Sequence, residues 1–285
     1  MQKNTVHFSR GLTGTALKAL AAAAMLLDHI AYFFGFTGAI PGWFGMVGRI
    51  AAPLFLFTLA EGFAHTRSRK RYFLKIYLMG AAMGGALFFM RYGGLAVRAD
   101  GFYPENSIFT TFVLLMPIWQ GIDLLRERRV LAGLALVLLP AVWPFAAGPL
   151  FAASPASLDT LEGFACYTFL PVWNVTGDTS LPVLVTGVLM YALRRNRARQ
   201  AAGFVAWTML YHFAFVYTVV SRLPGFAPVQ MLTMYYEWFG VFAAPLMLCY
   251  NGERGAGHKA FFYVFYPAHV YALHAAACLL YAALM

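Results

Sequence analysis

TGTALKALAAAAMLLDHIAYFFGF, residues 13–36, is an apolar, helix-forming run that carries a carboxylate and an imidazole side by side at Asp28 and His29. Its length meets the roughly 20 residues that a helix needs to cross a hydrocarbon core of about 30 Å. A charge at the centre of such a helix costs about 2.5–3.5 kcal/mol on insertion scales, so it persists where it is paired or lines a cavity. The same conflict recurs along the chain. Arg49, Glu61, His212, Glu237, His269 and His274 also fall within stretches that read as lipid-buried helix. Passive packing in a bilayer calls for none of them, which points to chemistry or transport inside the membrane.

Composition places the whole chain there. Hydrophobic residues make up 61% of the 285 and charged residues 11%, against about 25% charged in a soluble domain; the mean hydropathy is +0.66. The expected fold is an all-α, polytopic helical bundle forming one domain over 1–285. About nine spans are expected, at 13–36, 43–64, 72–92, 107–125, 130–148, 180–193, 201–221, 229–250 and 260–283. The polar tail through Arg10 leads into a first span too long for a cleaved signal sequence, so that span is expected to be retained. Cytoplasmic loops keep Lys and Arg. Arg67, Arg69, Lys70 and Arg71 follow span two, Arg126, Arg128 and Arg129 span four, and Arg194, Arg195, Arg197 and Arg199 span six. The alternate loops hold only Arg91, Arg98 and Arg222. This bias predicts a cytoplasmic N-terminus, an external C-terminus and a multi-pass protein of a bacterial-type inner membrane. The net charge of +10 is thus mostly a topology signal. Short juxtamembrane clusters without a soluble module do not make a nucleic-acid interface. Cys166, Cys249 and Cys278 show no paired or metal-ligand spacing, and no metal is expected.

Helical rise places the buried polar groups. At 1.5 Å per residue, His29 and Arg49 each lie about 21 Å from the cytoplasmic side, on adjacent antiparallel helices. His269, Glu237, His212 and His274 count to the middle and outer levels, and Glu61 and His65 to the cytoplasmic end of span two, which suggests a polar column. A His with an acid and an Arg nearby suits general-base and oxyanion work. Asp28 and His29, about 100° apart on a helix, do not face one another, so Asp28 is free to pair with Arg49. That pair also suits simple helix packing, and each His also suits an interior hydrogen-bonded role. Pro53, four residues after Arg49, removes a backbone bond beside the charge. Tyr-Asn-Gly-Glu-Arg-Gly at 250–255, followed by Lys259, reads as a turn; its amides beside Arg254 and Lys259 also suit a phosphate group. The stretch 150–180, rich in Pro, Gly, Ser and aromatics, has no clear pattern and reads as an external loop or re-entrant segment.

Taken in order, these residues resemble the TraX family of membrane proteins, named for a conjugative pilin acetylase. The resemblance runs through Lys18, Met25-Leu-Leu-Asp28-His29-Ile30, Gly48-Arg49, Pro53-Leu-Phe-Leu-Phe57 and Glu61-Gly62-Phe63. It continues with Thr66, Tyr72, Asn106-x-x-Phe109-Thr110, Tyr250-Asn251-Gly252 and Phe261-Phe-Tyr-Val-Phe-Tyr266-Pro267-x-His269. It implies an acetyl-CoA-dependent acyltransferase that acts on a peptide, sugar or cell-envelope acceptor. On that basis His29 is expected to be the base or transient acyl acceptor, with Arg49 on the oxyanion or thioester carbonyl and Asp28 orienting one of them. His269 is the second proton-handling candidate. Asn106, Glu61, Glu237 and His212 are expected on the acceptor side, and Arg254, Lys259, Arg67 and Arg69 at the CoA phosphates. The competing reading is an ion-coupled transporter or flippase that uses the same polar column; the paired repeats common in transporters are not evident. A non-catalytic scaffold leaves the retained charges unexplained.

Overall fold

The structure is a computed structural model that describes residues 11–152, 159–173, 177–257 and 259–285. The polar tail before residue 11 and parts of the 150–180 stretch lie outside them. Helices run α1 Gly14–Phe34, α2 Trp43–Gly48, α3 Ala51–Ala64, α4 Arg69–Gly93, α5 Ile108–Arg126, α6 Val130–Ala152, α7 Asp159–Thr168, α8 Leu181–Ala192 and α9 Arg197–Leu210. They continue with α10 Tyr217–Val220, α11 Gln230–Thr233, α12 Ala243–Leu248 and α13 Lys259–Leu284. Among the described residues there is no strand, only a single bridge between Leu12 and Tyr250.

Six stretches are long and apolar enough to cross a bilayer: Gly14–Thr37, Trp43–Ala64, Arg69–Gly93, Ile108–Arg126, Arg197–Val220 and Phe261–Leu284. Among the described residues, six of the nine expected spans are matched at this length. The expected span at 130–148 lies within α6, whose described apolar part is Val130–Trp143, and that at 180–193 falls on the shorter apolar stretch Leu181–Ala192. The expected span at 229–250 is not one helix. It breaks into α11, a 3₁₀ turn Tyr236–Phe242, and α12, with Pro228 and Pro245 at its ends and Gly240 in the turn.

Both ends of α1 are tied down, and the ties fix which loops share a face. At its start, Thr13 accepts from the Ala16 amide as N-cap, while Gly14 and Thr15 donate their amides to the carbonyls of Glu253 and Arg254. These bonds satisfy donors that a helix start otherwise leaves unpaired. At its end, Arg98 donates to the Phe33 carbonyl at 3.1 Å. The 249–257 loop and the 94–107 loop therefore lie at opposite ends of the bundle. The three arginine clusters lie between α3 and α4, α5 and α6, and α8 and α9. Helix α1 packs on α2, α3 and α13, and α5 on α4, α6 and α8. Lipid is as apolar as leucine, so close approach rather than hydrophobicity drives such contacts. Gly121 of α5 and Gly133 of α6 show it: a Cβ on Gly121 would stand 2.7 Å from the Gly133 carbonyl oxygen. The fully buried Trp119 and Tyr191 stack at 5.1 Å, and Trp119 donates to the Gly187 carbonyl at 3.0 Å, locking α5 to α8.

Candidate functional site

Span two is split at Arg49, and the local sequence explains the break. Pro53 has no amide hydrogen to close the bond back to residue 49, and a proline is tolerated in the first turn of a new helix. The chain tightens there, with the Arg49 and Ile50 amides reaching Met46 and Val47 at 3.3 Å. The Gly45 carbonyl, left without its usual helical partner, receives Arg49 Nε at 3.2 Å. Arg49 Nη2 forms an ion pair with Asp28 on α1, as the sequence spacing allowed. Gly48 is required by this contact: a Cβ there would fall on the Asp28 side chain.

His29, one residue on, belongs to a separate hydrogen-bonded chain. Its Nδ1 lies 2.6 Å from Nε2 of His269 on α13, with the two ring planes 9° apart. His269 Nδ1 lies 2.7 Å from the Phe265 carbonyl, and His29 Nε2 lies 3.1 Å from Asn106 Nδ2. Neutral imidazole offers one donor and one acceptor, and a carbonyl only accepts. His269 Nδ1 must therefore carry its proton, which leaves its Nε2 to accept from His29 Nδ1–H. His29 Nε2 in turn accepts from the Asn106 amide. This assignment fixes the Asn106 side chain, and its buried Oδ1 has no hydrogen-bond partner. An unpaired buried acceptor costs about 1–3 kcal/mol, a cost that an incoming N–H or O–H would remove. His29 and His269 are 5% and 7% exposed. By helical rise His29 is about 8 Å from the end of α1 at Phe34, in the half of the bundle that carries the 94–107 loop.

Two further residues at this site were not among the expected site residues. The Asp178 carboxylate accepts the Ser107 amide at 2.8 Å, next to Asn106, and its charge acts on Asp28 and Arg49. Burial pushes its carboxyl above the ordinary carboxylate range, against the pull of the Ser107 amide. The buried Tyr266 packs edge-on against His29 and His269 and accepts the Ile108 amide. Asp178 lies in the unpatterned 150–180 stretch, and Tyr266 is one of five aromatics within 261–266.

The other expected site residues lie elsewhere. The polar column resolves into separate groups. Glu61, 12 residues along from Arg49 and so about 18 Å away, pairs with Arg197 at 3.2 Å. That guanidinium also reaches Gln200 and stacks on Phe57 and Tyr250. His212 donates back to its own helix, to the Thr208 carbonyl, in a π-turn at Tyr211–Val216. Glu237 stands on the protein surface, exposed on the 3₁₀ turn, within electrostatic reach of the Arg49–Asp28 pair. His274 donates to the Ala96 carbonyl at 2.6 Å and anchors the loop. Of the expected phosphate ligands, Arg69 is engaged by Gln120 and Asp123, because α4 begins beside the end of α5. Arg67 and Arg254 are exposed, and the Lys259 side chain lies outside the described residues.

Residues 13–152 match the family described as "TraX protein". The chain is also 28% identical over 264 residues to a protein of Dichelobacter nodosus named "Probable fimbrial assembly protein FimC, serogroup H1". That alignment covers 89% of this chain and 91% of the relative. No solved structure matches.

Proposed function

Because this chain belongs, over residues 13–152, to the TraX family, we propose that it is a membrane-embedded acyltransferase. It moves an acetyl group from acetyl-CoA to an amine or hydroxyl of a cell-envelope acceptor. The name of the Dichelobacter nodosus relative favours a subunit of a surface filament as that acceptor. The observation that carries the reading is the directed chain Asn106–His29–His269–Phe265, which ends in an unfilled acceptor atom at Asn106.

In this reading the incoming nucleophile gives one hydrogen to His29 Nε2 in place of the Asn106 amide. Asn106 Oδ1 holds a second hydrogen when the nucleophile is an amine. The nucleophile's lone pair attacks the thioester carbonyl as its proton passes to His29. The imidazolium formed keeps its Nδ1–H on His269, which fixes the ring as an orienting partner does in other acid–base sites. The tetrahedral oxyanion lies near Arg49, whose Nη1 carries none of the bonds to Asp28 or Gly45 and whose fork suits an oxygen anion. Collapse breaks the carbon–sulfur bond, and the leaving thiolate takes the proton back from His29.

The test is titration calorimetry of the purified protein in detergent with acetyl-CoA, paired with transfer of labelled acetyl to envelope fractions. Wild-type protein is expected to bind the thioester. His29→Ala is expected to keep binding and thermal stability but lose about 10²–10⁴-fold in transfer, the usual contribution of a positioned base. Folded wild-type protein that neither binds acetyl-CoA nor transfers acetyl would sink the proposal and favour ion-coupled transport.

A further inference from the structure

At the opposite end of the bundle, three guanidinium groups converge on one carboxylate. Asp123, in the last turn of α5, accepts Arg69 Nη2 at 2.7 Å, Arg194 Nη2 at 2.8 Å and Arg126 Nη1 at 3.4 Å. It also accepts the Tyr191 hydroxyl at 2.6 Å. Each arginine is held by other contacts. Arg69 lies over Phe63 and donates to Gln120. Arg194 lies over Tyr191, and Arg126 donates to the Ala192 carbonyl at 2.6 Å. Their side chains are 31%, 16% and 27% exposed, so the array opens to solvent.

A helix lock needs one cation for one carboxylate; this group leaves two positive charges in excess. The surroundings do not cancel them. The stretches 61–75, 120–130 and 190–200 hold twelve Lys and Arg against three acids, Glu61, Asp123 and Glu127. Glu61 is committed to Arg197, and Glu127 is exposed on the turn after α5. Guanidinium forks fixed in place with donors to spare match the oxygens of a phosphate in number and geometry. The group lies at the ends of α4, α5 and α8, the level at which lipid headgroups meet a spanning protein.

We propose that Arg69, Arg126 and Arg194, held apart by Asp123, form a binding site for a phosphate ester. Two sources share that chemistry: a soluble nucleotide-type molecule and the headgroup of an anionic phospholipid. Its residues lie at the other end of the bundle from those of the acetyl transfer proposed above, so binding here can be read separately from transfer.

The experiment follows binding of fluorescently labelled adenosine 3′,5′-bisphosphate by anisotropy. Alongside it, thermal unfolding is compared in micelles doped with phosphatidylglycerol and with phosphatidylcholine. Three variants accompany the wild type: Arg126→Gln, Arg126→Lys and, as a control on the same rim, Arg199→Gln. A phosphate source that binds or stabilises wild-type protein, weakened about tenfold in Arg126→Gln but unchanged in Arg199→Gln, supports the site. The responding probe identifies the source. Arg126→Lys, which keeps the charge but loses the fork, is expected to fall between. Response to neither probe overturns the proposal, as does equal weakening in Arg199→Gln, which marks diffuse surface charge. Failure of both Arg126 variants to fold overturns it too, since Arg126 is then a structural lock.

Discussion

Asp28 and Arg49 are the residues whose presence in the bilayer most needs a cause, and the structure shows both the pairing and what it demands of a neighbour. With no side chain, Gly48 lets the Asp28 carboxylate lie against the start of span two and reach Arg49. Gly48→Ala adds a methyl where Asp28 already stands, and overpacking of this kind costs about 1–3 kcal/mol. At about 2–4 °C per kcal/mol for a chain of this size, the melting temperature should fall by several degrees, with transfer reduced alongside. A Gly48→Ala protein that matches wild type in both measurements would show that the close approach is dispensable. At this scale the sequence was legible where physics penalised the residue. Asp28, His29, Arg49 and His269 stood out because charge and imidazole are costly in hydrocarbon. Asp178 did not, because an acid in an unpatterned stretch carries no such penalty on its face. Arg69 stood out as a basic loop residue, but its company did not, because Asp123 and Arg194 come beside it only through the fold.

Among the elements, the 94–107 loop matters most to the site, since it delivers Asn106 to His29. Arg98 organises it. This buried arginine donates to the Phe33 carbonyl, grips Asp100 through Nε and Nη2 and lies between the rings of Phe36 and Phe102. It thus caps the end of α1 and folds the loop over it in one contact set. The Arg98 side chain bonded to Asp100 holds that carboxyl below the ordinary Asp value. A depressed folded-state pKa contributes stability that is present above the unfolded value of about 3.9. That stability is lost as pH falls through the folded one. Hydrogen exchange over 94–107, corrected for intrinsic rate, should show protection that weakens below about pH 4. In Asp100→Asn the acid-dependent step should vanish; its persistence would mean that Asp100 does not hold the loop. Hydropathy located the helices bordering this loop well, because α1, α4 and α5 are long and evenly apolar. It failed over 229–250, where averaging concealed a 3₁₀ turn. There Gly240 packs against the Arg49 carbonyl and Pro53, a tertiary fit that no window of apolar residues records.

For the whole molecule, the two ends of the bundle differ in charge and in chemistry. One end gathers the three arginine clusters and the 249–257 loop, and the other carries the 94–107 loop and the histidine pair. The retention of Lys and Arg on the cytoplasmic side predicts that the arginine-rich end faces inward. On that orientation the histidines would lie in the outer half of the membrane, and in the transfer proposed above the acceptor would approach from outside and the thioester from within. Single cysteines placed in a variant lacking Cys166, Cys249 and Cys278 test this directly. A cysteine at Asp100 or Tyr103 should react with a membrane-impermeant maleimide applied to the outer face of sealed vesicles. Cysteines at Ser68 and Arg128 should react only after the membrane is permeabilised. The reverse pattern would turn the bundle over and bring the acceptor to the cytoplasmic side. Reaction of both sets from one side would mean that the bundle does not cross the membrane as its helices suggest. The orientation also governs the chemistry. With the arginine-rich end inside, the transfer proposed above would need a thioester held from the cytoplasm to pass its acyl group more than half-way across the bilayer, and a long flexible donor arm rather than a compact acyl donor would meet that need.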